Sequence, residues 1–233
     1  MISNLRIMKD FDKYQLSSCD PEDISDVLLK VEKSFGFRFG DTELKNVKTF
    51  GELCDIIVNK IEGDNLNDCT TQQAFYKVRD ALAETLSIDK SKILPATALQ
   101  VLLPRHKRRQ LVSQVDRLLK CKVDILRPKD WITATLILAI LTSLVGLFIF
   151  WKVALAILVI SIFGIRLATK SGIELNLETV GQLAEKISRE HYRQVRRNKD
   201  TVNRSEIVSK VKELFMHDLM VEESELVREA RFE

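Results

Sequence analysis

Residues Trp131–Ala168 read WITATLILAILTSLVGLFIFWKVALAILVISIFGIRLA. Between Ile132 and Ile165 the single charged residue is Lys152. One straight helix over that stretch would reach about 51 Å at 1.5 Å per residue, whereas the hydrocarbon core of a bilayer is about 30 Å thick. Two helices folded back on each other fit better. Ile132–Phe150 supplies one span of about 28 Å, and Val153–Ala168 a return span of about 24 Å. The turn is expected at Trp151-Lys152, where an indole and an ammonium suit the far interface, with Trp131 at the near one. Arg166, close to the end of the return span, is accommodated by snorkelling or local thinning of the lipid.

The flanks are basic, with Arg127 and Lys129 before the block and Arg166 and Lys170 after it. An excess of cations on the short flanks marks the cytoplasmic side. The expectation is an integral membrane protein of a bacterial inner membrane with both termini in the cytoplasm. Thr135, Ala139, Ser143 and Gly146 form a stripe of small residues suited to close helix contact, within the hairpin or between copies of the chain. No acidic residue and no histidine lies inside the spans, which argues against a transport or proton route. The alternative is a hairpin buried in a soluble fold, but a chain of 233 residues offers little protein to cover it.

Outside this block the sequence is polar and helix-rich. Charged residues make up 30% of the chain and the net charge is +3, too small a surplus to point to nucleic acid. The N-terminus, MISNLRIMKDFDKY, has no apolar core of an export signal. Cys19, Cys54, Cys69 and Cys121 are widely spaced with no CxxC pair, so they read as reduced cysteines rather than a zinc or redox site. His106, His191 and His217 lack ligand-like spacing and read as surface or capping residues. No Gly-rich phosphate loop and no nucleophile–base pair is visible, so neither a catalytic residue nor a cofactor is expected.

The polar part repeats itself. Asn46–Ile57, NVKTFGELCDII, matches Asn176–Ile187, NLETVGQLAEKI, with Asn46/Asn176, Thr49/Thr179, Gly51/Gly181, Leu53/Leu183 and Ile57/Ile187 identical. Phe75–Leu99 aligns without gaps to Val208–Phe232, and Val27–Phe35 aligns to Leu111–Leu119. The segments share helical periodicity: Ile24, Val27, Leu28, Val31 and Phe35 make one apolar face, and Phe75, Val78, Leu82 and Leu86 another. Asp20-Pro21 reads as a helix start. The second copy contains the apolar block as an insertion, which independently requires an even number of crossings. The expected fold class is all-α: two helical bundles plus a transmembrane helical hairpin. The expected division is residues 1–103 for the first repeat, 104–130 with 171–233 for the second, and 131–170 for the insert.

Pro21–Ile61 resembles the second half of an acyl carrier protein. It has an Asp at a helix start, an aliphatic helix ending in Glu-x-x-Phe-Gly, a polar loop, then Val-x-Thr and a last helix. Phe75–Leu99 resembles that family's first helix and the loop after it. The resemblance implies a carrier-like fold. It also implies a phosphopantetheine arm on a Ser opening the second helix, but Pro21 stands there in the first repeat and the second repeat places that position near Lys107. The displaced Ser18, in Ser18-Cys19-Asp20, is the one alternative attachment residue. The helices come in an unusual order. Either each repeat is circularly permuted in place, or the C-terminal helix packs back on the N-terminal half and leaves the middle as an intact domain.

Charge separates the repeats. The first keeps Asp20, Glu22, Asp23 and Asp26; the second carries Arg105, Lys107, Arg108 and Arg109, with a further basic run at Arg193, Arg196 and Arg197. These cations read as a solvated helix face, as contacts for anionic lipid, or as contacts for an acidic protein partner. The expected role is a non-catalytic, membrane-anchored, acyl-carrier-like scaffold or adaptor. The alternatives are a working carrier and a homo-oligomeric structural membrane protein.

Overall fold

The computed structural model describes Leu16, residues 19–147 and residues 150–232. The chain is mostly helical. Its contacts divide it into two compact units: the described residues within Met1–Lys77 and Ala184–Glu233 form one, and Val78–Leu183 the other. The expected boundary between residues 103 and 104 is therefore not where the chain divides. The reason is the C-terminal helix, which packs on the N-terminal helices and completes their core.

In the first unit, α1 (Pro21–Phe35) starts where Asp20 accepts a hydrogen bond from the Glu22 N–H at 2.9 Å, with proline in the first turn. It stops at Gly36, whose φ of 74° a side chain would resist. Val27, Val31 and Phe35 form its buried face. Helix α2 (Phe50–Lys60) is opened by Thr49 and Glu52, which cap each other's backbone N–H groups. The helix α3 (Thr70–Leu86) follows. The short α4 (Leu99–Leu102) and α5 (Arg108–Leu119) come next, then the apolar α6 (Asp130–Gly146) and α7 (Trp151–Lys170). The chain returns through α8 (Val180–Glu190) and α9 (Tyr192–Val195) to α10 (Arg204–Leu219). Helix α10 contributes Ile207, Val211, Leu214 and Phe215 to the core shared with α1 and α2.

Two ladders of two residues each accompany the helices. Asp64–Asn65 (β1) pairs in parallel with Thr201–Val202 (β4). Leu126–Arg127 (β2) pairs antiparallel with Glu174–Leu175 (β3). Two residues are too few for an alternating pattern, which is why the sequence gives no strand signal.

Matched stretches make matched bonds. Gly51 N–H donates to Arg228 O at 2.9 Å, and Gly181 N–H to Pro95 O at 2.8 Å. Phe50 donates to Ala230 as Val180 donates to Thr97. Phe39 N–H donates to Glu32 Oε1, and Val123 N–H to Asp116 Oδ1. Ser87 and Met220 both take positive φ, 52° and 54°, just after a helix end. The shared glycine has a physical cause: a Cβ would lie 2.8 Å from Arg228 O at position 51 and 3.1 Å from Pro95 O at position 181.

Helices α6 and α7 pack along each other in opposite directions. Gly146, ending α6, faces Ala154 near the start of α7, and Gly164 faces Leu136. Of the small-residue stripe, Ser143 is buried and Gly146 lies against Ala154, whereas Thr135 is exposed. The turn comes earlier than expected, since α6 ends at Gly146 and Trp151 already opens α7.

Candidate functional site

The strongest local organisation beyond the cores lies where the apolar helices begin and end. Ladder β2–β3 sets Arg127 opposite Glu174, so the chain enters and leaves the apolar helix pair at one place. Gly172 permits this, because a Cβ there would sit 2.5 Å from the Arg127 carbonyl carbon. Arg108 is buried and donates to Leu103 O at 2.9 Å and Ile173 O at 2.7 Å. It ties the start of α5 to the chain leaving α7. This corrects its reading as a surface contact: the side chain is buried, with Nε and Nη1 on backbone carbonyls and Glu174 Oε2 3.8 Å from Nη1. Arg105 is exposed and ion-paired with Glu174, and Arg109 donates to Lys170 O at 3.3 Å. Lys107 is exposed just before α5. Glu174 and Gly172, which organise this base, were not singled out from the sequence; a lone acid beside a basic flank was the available signal.

The second basic run resolves differently. Arg196 has 0% exposure and bonds Asp68 at 2.5 Å, Thr70 Oγ1 at 2.8 Å and Thr201 Oγ1 at 3.2 Å. It is a structural cation within the first unit, not a lipid or partner contact. Arg193 is half-buried against Gly36, and Arg197 is exposed. His191 is buried at the N-cap position of α9, and His217 is exposed.

At the other end of the apolar pair Phe150 and Trp151 are exposed, and the Lys152 ammonium lies 5.6 Å from the Trp151 ring centre. Trp131 is exposed near the start of α6. Between the two ends, large apolar side chains face outward, among them Val145 at 68%, Ile160 at 69% and Phe163 at 67% exposure. Among the described residues one helix, Trp151–Lys170, is long and apolar enough to cross a membrane. Helix α6 is shorter, 17 residues. One qualifying helix counts against the expectation of two full spans.

A cavity of about 340 Å³ lies in the first unit between α1, the loop before α2 and the C-terminal segment, lined by Pro21, Ile24, Leu28, Leu44 and Phe232 among others. Pro21 occupies the position at which the carrier resemblance would place an attachment Ser. Ser18 lies outside the described residues. Cys54 is buried among apolar groups, which pushes its thiol up to about 12, so it stays protonated. Among the described residues no three His, Cys, Asp or Glu side chains gather as metal ligands.

No family model matches the chain, and neither a curated protein nor a solved structure does.

Proposed function

We propose that the chain is a membrane-anchored, non-catalytic scaffold or adaptor whose paired apolar helices enter the bilayer while two acyl-carrier-like bundles stay at the cytoplasmic face. One observation carries the membrane part: a helix pair with apolar side chains exposed along its length has the start of α6 and the end of α7 joined at one foot by β2–β3, with cations around that foot. An apolar surface of this extent requires a cover, and lipid is the cover that suits two unpaired sides at once. The lengths also favour a pair that dips as one body. Helix α7 reaches about 30 Å and α6 about 26 Å, a shortfall that thinning or snorkelling absorbs. Trp131 and Trp151 stand at opposite ends of the pair, where indoles suit the two interfaces.

The carrier-like part rests on the matched hydrogen bonds of the two repeats and on the quoted residues of Pro21–Ile61. Proline at position 21 supplies no nucleophile, which favours a role through surfaces. The test has four parts. The chain should stay with membranes through an alkaline carbonate wash, and replacing residues 131–170 by a short Gly-Ser linker should release it to the aqueous fraction. Tags at both termini should be protected or exposed together. Coexpression with a phosphopantetheinyl transferase should leave the mass unchanged; an added arm would replace the scaffold reading by a working carrier at Ser18. Affinity purification from native membranes should recover a distinct protein partner, whereas a homo-oligomer alone would favour the structural reading.

A further inference from the structure

Within the second unit, the segments that meet at the foot of the apolar pair bring cations from three separate stretches of sequence to one level. Arg105 and Arg109 come from the start of α5, Arg127 and Lys129 from the approach to α6, and Lys170 from the last residue of α7. Fixed bonds set their places. Arg109 donates to the Lys170 carbonyl, Arg127 stands opposite Glu174 in the ladder, and buried Arg108 holds the underlying backbone. Glu174 engages Arg105, and Asp130 lies 3.7 Å from Arg127. Two carboxylates therefore face five cations. The surplus sits directly beneath exposed aliphatic side chains, such as Leu167 one turn from the end of α7.

We propose that this foot is a binding surface for anionic phospholipid headgroups, holding a ring of lipid phosphates around the helix pair. The inference rests on the membrane reading above and adds a lipid preference to it. Phosphate oxygens would take the donors that the two carboxylates leave over, with Lys129 and Lys170 reaching from the helix ends. A soluble acidic protein is the less fitting occupant, because the cations lie at the level where the apolar surface begins and a headgroup satisfies both at once.

The test reconstitutes the full chain in phosphatidylcholine bilayers and compares spin-labelled phosphatidylglycerol with spin-labelled phosphatidylcholine in the motionally restricted lipid fraction. The expected preference for phosphatidylglycerol is about fivefold, the factor that one cation near a charged surface supplies, shrinking as salt rises. Arg109→Gln with Lys129→Gln and Lys170→Gln should bring the ratio close to one. Lys129 provides no side-chain cap, so its replacement spares the start of α6. Arg197→Gln with Lys199→Gln, removing exposed cations from the other unit, should leave the ratio unchanged. Equal restriction of both lipids by the unmodified chain, or equal loss in both variants, overturns the inference while leaving the anchor in place. Absence of any restricted lipid overturns the anchor as well.

Discussion

The two units are variations on one set of backbone bonds, closed in different ways. In the unit spanning Val78–Leu183 the helices follow in sequence, and the apolar pair is set into the loop after α5. In the other, α1 and α2 come from one end of the chain and α10 from the other. Phe215 in α10 and Leu82 in α3 occupy matched positions, and both have 0% exposure. A helical core of this kind is thus indifferent to whether its helices are joined covalently in order. It needs the apolar faces delivered, and the loop at Arg228 or Pro95 pinned beneath a glycine.

This contrast can be broken most severely by truncating the chain after Lys199. The first unit then loses Ile207, Val211, Leu214 and Phe215, and hydrogen exchange should show residues 21–61 losing protection while residues 105–119 keep theirs. Equal protection in both would show that α10 is not what completes that core. A smaller break is Arg196→Met, which leaves Asp68 without its cation. Removal of one partner from such a pair costs about 3 kcal/mol, and urea unfolding should register it. Next come the glycines. Alanine at position 51 meets backbone oxygen more closely than alanine at 181, so both variants should lose stability, by about 1–3 kcal/mol, with Gly51→Ala the worse. Thr49→Ala and Thr179→Ala remove matching caps, from α2 and α8, and should cost about 1 kcal/mol apiece.

The finest distinction is one of pH. Glu52 accepts from the Lys48 and Thr49 N–H groups, which hold its carboxyl below the ordinary 4.5. Gln182 makes the corresponding bonds to Glu178 and Thr179 and does not titrate. A depressed folded value means that the contribution of Glu52 is present above 4.5 and is lost as pH falls through its lower folded value. Over that window the protection factors, exchange relative to the unstructured-chain rate at each pH, should fall at residues 48–53 and stay unchanged at residues 178–183, and Glu52→Gln should abolish the difference.

Much of this is legible in the sequence. The start of α1 at Asp20-Pro21, the apolar faces of α1 and α3, and the pairing of Gly51 with Gly181 follow from side-chain type and spacing. Three things are not. Which helix completes which core is a choice between α3 and α10, two similar apolar faces, and periodicity does not rank them. The burial of Arg108 and Arg196 depends on carbonyls and hydroxyls distant in sequence, such as Ile173 and Thr70, so both looked like members of a charged surface run. The turn between α6 and α7 lies ahead of Trp151, because an indole and an ammonium tolerate the first turn of a helix as well as a loop.

The closure of one unit by α10 also orders events during synthesis. Residues 21–61 leave the ribosome first, yet their core requires Phe215 and Leu226, made last. At bacterial-to-eukaryotic elongation rates the interval is roughly ten to thirty seconds. Throughout it Val31, Phe35 and Phe50 lack their final neighbours, and the Val78–Leu183 unit with its apolar helices is completed before it ends. The apolar helix pair is therefore made and exposed before the N-terminal segment can complete its core.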